Sequence, residues 1–586
     1  MTKSIPKNQI MKSANYGYLL GDLAESFGID ISSSFGSIRA SERMKLITKP
    51  TDMQVPLDFA YYNDKYYFCS DTSVYVGANA PDDGFSKDVT SGAPSSVDTY
   101  AGGLEVFNGS MYVADGTGIS KLASTTWSSP AGLASKITAS STHLMKTFGN
   151  RLYITDSGDK IYSISTSDTI ADSGQFSADW ALGSSWVATF LDVAQGAIFA
   201  GYLNTDDGRG IVFQWDGDTA DTASRRIDLE AGVVAGCVLD NIPYIIDTHG
   251  RLKRYSGASF TEVDRLFKKE NEAFNGIRDG LTTIDRPIHP NGMIPTEDGN
   301  IMFLFKNGLA STSSGVSVNH EDTIPSGIYE YNTTTGLNHR HALSYVAIGN
   351  TTLTDYGQQR LNAVGALFYR QPNSSPYENG ALMAGCQYFT DATTKEYGVF
   401  SSDTFDTTQK YGSYTTEKIF STEVQDQWSK IYTIYKTLLD SGDKIVIKYR
   451  TETDVPTEVT ATWTDTDTFT TTTSLASYAE GDEVQFLQGT GGGKSAHISS
   501  ISESGGTYTV NLDDTFTGAT GTALAKVSKW IKAGEITQAN DDLRYKGLTI
   551  DQDNASPWIQ FKVCMQFTGK NEIYKHRVVN KSLIKE

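Results

Sequence analysis

The chain has 586 residues, and 69 Asp and Glu against 49 Lys and Arg leave a formal charge of −20. That excess disfavours a nucleic-acid-binding exterior, because phosphates are repelled over most of it. Hydrophobic residues at 39 % and aromatics at 11 % supply enough apolar surface for large cores and exclude a chain disordered by composition.

Cys69, Cys237, Cys386 and Cys564 lie far apart and write neither a disulfide framework nor a zinc site. The first twenty residues, MTKSIPKNQIMKSANYGYLL, contain no apolar run of signal-peptide length. No stretch approaches the roughly 18 unbroken apolar residues of a membrane span. A soluble chain made in the cytosol, with no membrane span, is expected. Residues Gly21 to Asp52 are rich in Ser, Gly and charge and hold no sustained period. The anchors Phe27, Ile29, Ile31, Phe35 and Ile38 fit an extended N-terminal arm over 1–52 lying on a neighbouring surface; a lead-in wrapped on the following domain fits equally.

From about residue 55 to 403 one phrase returns: an apolar run, a tight Asn/Asp/Gly turn, an aromatic strand, an Asp-Gly-type turn, and another strand. FAYYNDKYYFCSDTSVYV (Phe59 to Val76), LEVFNGSMYVADGTGISKL (Leu104 to Leu122) and LMKTFGNRLYITDSGDKIYSI (Leu144 to Ile164) are its clearest copies. Stacking the turns aligns Tyr67, Tyr112 and Tyr153, and then Asp115 with Asp156. Weaker copies place Phe199 and Tyr244 in the tyrosine slot, with Asp247 in the following turn, and two looser units reach Asp403. A four-stranded sheet of roughly 40–45 residues cannot bury both faces alone, and radial repetition packs each between two neighbours. The expected fold is therefore all-β: a β-propeller of about seven blades over 53–403. A series of sandwiches or a solenoid is the alternative.

Beyond the repeat, Lys430 to Asp454 reads as two strong strands around an Asp-Ser-Gly-Asp turn, with Ser556 to Gly569 as structural partner. Between them lie a threonine-rich stretch, Thr460 to Thr473, and short strands joined by glycine turns. A C-terminal β-sandwich over 404–459 and 540–586 is expected, carrying an inserted small β domain over 460–539 whose barrel occupies about 474–533.

No motif carries chemistry. In GTGGGKS (Gly489 to Ser495) the position five before Gly493 is Gln488, so the phosphate-loop spacing G-x-x-x-x-G-K-[ST] fails. The strand-like AHISSIS that follows supplies no helix N-terminus, and a hairpin turn is expected. His339 and His341 in NHRHALSY share a face if extended, but no third ligand has readable spacing, and they read as a surface loop pair. Asp115, Asp156 and Asp247 recur because Asp closes turns through nearby backbone N–H groups. NTDDGRG (Asn204 to Gly210) reads as a solvated turn before a weak Ca²⁺ loop, and no G-x-S-x-G elbow is present. No catalytic, cofactor or metal residue is assigned, and the chain is not expected to be an enzyme.

The order of parts resembles tail proteins of tailed bacteriophages. A Ser/Gly-rich arm carrying FGIDISSSFGSIRASERMKL leads into the repeat, and SGDKIVIKYRT and SPWIQFKVCMQF flank an inserted GDEVQFLQGTGGGKSAHISSISESGGTYTVNLDD. The likeness is to propeller-containing nozzle or tail-hub proteins of short-tailed phages. It implies a virion protein made in the host cytoplasm. It further implies a homo-oligomeric ring, commonly of six copies, docking other tail or adaptor proteins and fibres. Genomic DNA would pass through the ring's lumen without specific binding. Two other readings of a propeller stand beside it: a receptor- or glycan-binding tail protein using Trp127, Trp180 and Trp186, and a polysaccharide hydrolase.

Overall fold

Asn63 and Asp64 both take the left-handed backbone region, φ 49° and 58°. Two such residues in succession match the twist of a two-residue hairpin, and Pro56–Tyr62 turns directly into Lys65–Ser70. The device recurs at Asn108-Gly109 (φ 47° and 71°), Gln195-Gly196 (53° and 72°) and Asp240-Asn241 (50° and 61°). Each of these turns opens a sheet of the same kind.

In the computed structural model the described residues are, apart from gaps of a few residues, 2–4, 23–30, 39–77, 84–94, 103–172, 182–217, 225–266, 287–305, 327–341, 361–370, 381–405, 410–420, 426–435, 443–488, 495–537, 545–550, 556–567 and 573–582. Apart from the 3₁₀ turn Pro290–Gly292, the regular elements among them are strands. The chain divides into two compact units, one of Met44–Thr333 with Gln359–Phe405 and the other of Met1–Arg43, Thr334–Gln358 and Asp406–Glu586.

The first unit is propeller-like: four-stranded antiparallel sheets follow one another along it. The opening hairpins are Pro56–Tyr62 with Lys65–Ser70, Leu104–Phe107 with Ser110–Asp115, Met145–Phe148 with Arg151–Thr155, Trp186–Ala194 with Ala197–Asn204, and Val233–Leu239 with Ile242–Asp247. A further sheet opens with Met293–Pro295, Ile301–Phe305 and Gly327–Asn332. The last is Leu361–Arg370, Ala381–Phe389, Lys395–Phe405 and, returning from the N-terminal end, Met44–Thr48. Met44–Thr48 was expected inside the arm. It instead supplies the outer strand that the last sheet lacks in its own sequence.

The first strand of each sheet contacts the first strand of the next, and Leu361–Arg370 contacts Pro56–Tyr62, so the series closes on itself. The aligned aromatics occupy one structural position, third in the second strand, and Tyr67, Tyr112, Tyr153, Phe199 and Tyr244 are all buried. Apolar clusters lie between neighbouring sheets. Leu57, Tyr67 and Val74 pack on Met111, Val113 and Trp127, and Phe59, Phe68 and Tyr75 pack on Ala366, Met383 and Val399 across the closing joint. At that joint a Cβ on Gly365 would run into the carbonyl oxygens of Gly385 and Pro56, so the backbones meet where only glycine fits.

In the second unit a six-stranded sheet runs Leu23–Phe27, Lys410–Thr416, Trp558–Phe567, Lys444–Arg450, Ile531–Thr537, with Ile419–Phe420 also on Trp558–Phe567. A four-stranded sheet holds Thr2–Ser4, Ile573–Ser582, Asp426–Tyr435 and Tyr545–Thr549. The pairing of Lys444–Arg450 with Trp558–Phe567 is the one read from the sequence. Asp426–Tyr435, however, goes to the other sheet. Ile431 and Leu548 from that sheet share one apolar cluster with Ile445, Ile447, Tyr449, Phe561 and Val563 from the six-stranded one. Leu23–Phe27 and Thr2–Ser4, expected to lie in an arm on a neighbour, pair within their own chain; Ile31, Phe35 and Ile38 are outside the described residues.

A closed six-stranded barrel is formed by Thr457–Asp465, Thr468–Thr471, Thr507–Leu512, Ser495–Ser504, Glu483–Gln488 and Thr522–Ser528. It begins before the expected 474. The threonine-rich stretch is barrel wall, alternating buried Val459, Ala461 and Trp463 with exposed Thr460, Thr462 and Thr464. Ile531–Thr537, within the expected insert, belongs to the six-stranded sheet instead.

Candidate functional site

The recurring turn aspartates are structural. Asp115 accepts from the Ser120 hydroxyl and the Gly118 N–H. Asp156, buried, accepts from the Thr138 N–H and Oγ1, both at 3.0 Å, and lies 3.3 Å from His143 Nε2. Asp247, fully buried, takes the N–H groups of His249 (2.9 Å) and Arg251 (3.1 Å), Arg251 Nε (2.7 Å) and Lys253 Nζ (2.8 Å). Each carboxylate closes the end of a second strand; the oxygens of Asp115 and Asp247 are occupied by donors of their own turn and the strand after it, and those of Asp156 by Thr138 and His143 from the segment before its sheet. In Asn204 to Gly210, Asn204 Oδ1 accepts from the Asp206 N–H, and Asp207 holds Arg209 Nε at 2.6 Å.

His339 and His341 are not a surface loop pair. They lie on the strand Gly336–His341 at 0 % and 6 % exposure, because alternation on a half-buried strand carries both residues inward. Gly489 to Lys494 is outside the described residues, and its flanks Glu483–Gln488 and Ser495–Ser504 pair antiparallel, as a hairpin requires. Trp127 is core, donating through Nε1 to Asp88 Oδ2 at 2.8 Å; Trp186 is half-buried against the fourth sheet, and Trp180 is outside the described residues. Burial pushes the thiols of Cys69, Cys237 and Cys386 well above their ordinary value, which leaves them poor nucleophiles.

The structure brings together a set that sequence reading passed over: Asp58, Glu105, Lys146 and Asp192, one on the first strand of each of four successive sheets. Asp58 Oδ2 accepts the Leu104 N–H of the next sheet at 2.8 Å, while Oδ1 accepts that of Phe59 at 2.8 Å. Glu105 accepts from the backbone and hydroxyl of Thr147 on the third sheet. Lys146 Nζ stands 3.0 Å from Asp192 Oδ1, and Asp192 Oδ2 accepts the Val238 N–H of the fifth at 3.1 Å. Side chains thus link four consecutive joints, and three carboxylates share one ammonium.

The electrostatics follow from that ratio. Burial pushes the Asp58 carboxyl up to about 8, with Glu105 adding to the rise and Lys146 opposing it. Burial also raises Glu105. Asp192 beside it, with Glu105, holds the Lys146 ammonium above its usual range. The belt ties neighbouring sheets together through carboxylate contacts to strand N–H groups and to Lys146. A sequence signal existed in the triplets Leu57-Asp58-Phe59, Leu104-Glu105-Val106 and Leu191-Asp192-Val193, which set an acid between two apolar residues just before each hairpin turn. Among the described residues no helix is long and apolar enough to cross a membrane, and no group of three or more His, Cys, Asp or Glu has metal-binding geometry.

No protein-family model matches the chain, and no curated protein matches it. Among solved structures, the extracellular domain of a one-component system from B. thetaiotaomicron is 11 % identical with a TM-score of 0.38 over 79 % of this chain and 50 % of its own, so the chain spans about half of that protein. BBS1N, solved in complex with ARL6DN, is 12 % identical, TM-score 0.32, over 59 % of this chain and 91 % of its own. The WD40 β-propeller domain of Doa1 is 10 % identical, TM-score 0.30, over 48 % of this chain and 92 % of its own. Scores this low carry no argument about function, and the propeller-like description rests on the chain's own strand pairing and closure.

Proposed function

We propose that the chain is a structural subunit of a phage tail, a nozzle- or hub-type protein whose copies form a ring around the DNA-ejection path. In this reading the closed series of sheets is a seven-bladed propeller. The two sheets sharing the Ile431–Phe561 cluster form a β-sandwich, and the barrel is its insert. The work is mechanical rather than enzymatic. The subunit docks on other copies and on tail, adaptor or fibre proteins, and it resides in the virion.

The observation that carries this reading is the closure. Met44–Thr48 completes the sheet made by residues 361–405, and Pro56–Tyr62 meets Leu361–Arg370, so the two ends of the repeat are joined through hydrogen-bonded backbone. A wheel clasped in this way resists opening under load better than one whose first and last sheets merely abut. The polar chemistry fits the same role, since the turn carboxylates are held by nearby backbone and side-chain donors and the belt carboxylates by neighbouring sheets. The glycan-binding reading has less support: of its three tryptophans, Trp127 is buried in the core.

The test is localisation and assembly. Mass spectrometry of purified phage particles is expected to find the chain, and electron microscopy of the recombinant protein with its tail partners to find rings. A chain absent from particles and strictly monomeric in the presence of tail components would overturn the reading.

A further inference from the structure

The barrel and the six-stranded sheet keep separate apolar cores. The barrel's is built from Val459, Trp463, Phe469, Phe486 and Val527 among others, the sheet's from Ile445, Ile447, Phe561 and Val563, and the two clusters share no residue. What crosses between them is charge. Along Lys444–Arg450 and Trp558–Phe567 the residues alternate, so that while Ile447, Tyr449, Phe561 and Val563 face the apolar cluster, Lys448, Arg450, Gln560 and Lys562 face away from it.

On that outer face sits Glu483 of the barrel, 2 % exposed. Lys448 Nζ lies 2.5 Å from its Oε1, and Lys562 Nζ lies 3.0 Å from Oε2. Lys448 also donates to Ser495 Oγ at 3.0 Å, and Ser528 Oγ donates to Glu483 Oε2 at 3.4 Å. Further along, Lys532 of the sheet stands 3.6 Å from Asp513 of the barrel, which is itself 3.4 Å from His497 Nδ1. Trp530, on the return from barrel to sheet, is covered by the Arg450 guanidinium at 4.5 Å and by Lys562 at 6.0 Å. The sheet supplies the cations and the barrel the anions.

We infer that the barrel is a separately cored module held on the outer face of the six-stranded sheet by this ionic seam, with Glu483 between Lys448 and Lys562 as the latch that fixes its one seating. Apolar seams tolerate sliding, whereas a buried carboxylate between two ammonium groups is satisfied in one placement only, and breaking such a pair by removing one partner is strongly destabilising. Removing the carboxylate leaves the buried Lys448 and the partly exposed Lys562 facing each other with their shared anion gone. Undocking, which lets water reach them, is then the relaxation open to the chain that does not unfold either core. The two lysines hold Glu483 well below the usual carboxylate range, so the latch stays charged through mild acid.

The test uses the full chain with Ser528→Cys as a reporter, since Ser528 is buried in the seam at 5 % exposure; because its hydroxyl also donates to Glu483, the Ser528→Cys chain with Glu483 intact is the reference for every rate. Labelling of the introduced thiol by a maleimide is followed peptide by peptide, and hydrogen exchange across 457–528 reports the barrel's own fold. With Glu483→Gln added, labelling is expected to accelerate at least tenfold while exchange in the barrel strands stays unchanged. Replacing Glu483→Leu, Lys448→Met and Lys562→Met together removes the buried charges, and is expected to slow labelling again while the barrel remains protected. Unchanged labelling in the Glu483→Gln chain overturns the inference, because the seating then does not depend on the latch. Loss of barrel protection in step with labelling also overturns it, because the barrel and sheet are then one cooperative core. If Glu483→Gln prevents folding altogether, the triple variant decides: a chain that fails with no charge left to bury shows a core, not a latch.

Discussion

Two regions of this molecule hold carboxylates drawn out of water, half-buried in one and buried in the other, and Asp58 and Glu483 are pushed in opposite directions. In the belt, Asp58, Glu105 and Asp192 share a single ammonium, Lys146, and Asp58 is driven up to about 8. In the seam, one carboxylate, Glu483, lies between two lysines and is driven well down. Burial disfavours both ions; the count of partners decides the outcome. The belt compensates with strand N–H groups, which donate to a carboxyl oxygen whether the acid is neutral or charged and so keep sheets aligned in either state. The seam has no such tolerance, because its lysines need the charge.

The largest expected effect is on the seam. Glu483→Gln should weaken the seating of the barrel on the six-stranded sheet by about 3–5 kcal/mol, as when one partner of a buried ion pair is removed; hydrogen exchange in the sheet strands 444–450 and 558–567 measures it, and a loss below about 1 kcal/mol would erase the contrast. Next comes the closing joint of the sheet series, which uses neither belt nor seam. Gly365→Ala should cost about 3 kcal/mol, since its methyl meets two fixed carbonyl oxygens, read as a lower denaturation midpoint. Asp247→Asn tests whether turn carboxylates behave like the seam. It leaves Arg251 and Lys253 without their shared anion and should cost about 2 kcal/mol.

The smallest effect sharpens the belt. The Asp58 carboxyl titrates near 8 folded, against a starting value of 3.8. Between those values the folded chain binds the extra proton, so stability should fall as the pH rises from about 4 to about 8 and level off above. Water at this half-buried position limits the change to about 1 kcal/mol. Asp58→Asn should flatten that slope, as measured by urea midpoints across the pH series. A midpoint rising with pH over the same window would mean the belt acids are stabilised as ions after all.

Much of the sheet series was legible because its signals are local. A left-handed pair such as Asn108-Gly109 and an aromatic third in the next strand, Tyr112, lie within five residues of each other, and the pair and aromatic occur together in four sheets. The barrel wall carries a local signal of the same kind in the alternation of Val459, Ala461 and Trp463, set in a stretch whose nine threonines among the fourteen residues Thr460 to Thr473 mask the period. What distance hides is pairing. Nothing near Met44–Thr48 says that its partner strand lies at Lys395–Phe405. Nothing near Asp426–Tyr435 says that it leaves Lys444–Arg450 for another sheet, since both strands have the same β-forming pattern and a short connection serves either route. The latch is the extreme case: Lys448, Glu483 and Lys562 are each ordinary in sequence and meet only once a barrel has closed on a sheet. The belt stood between these, its Leu-acid-apolar triplets visible but indistinguishable from exposed strand acids until the closure placed them side by side.

The clasp formed by Met44–Thr48 bears on the order in which the chain can be made. That strand leaves the ribosome before the rest of its unit, yet the edge it must join is finished only when Phe405 has been added, roughly 350 residues later. At 5–20 residues per second this is a wait of roughly 20–70 seconds. Throughout it the nascent sheets can stack but the circle stays open, with one unpaired strand at the front and a growing edge behind. Closure is therefore the last event of that unit's biogenesis, and a strand waiting so long is an invitation to pair with another nascent copy. Synthesis rate and local chain density, as much as the finished contacts, set how many circles close on themselves.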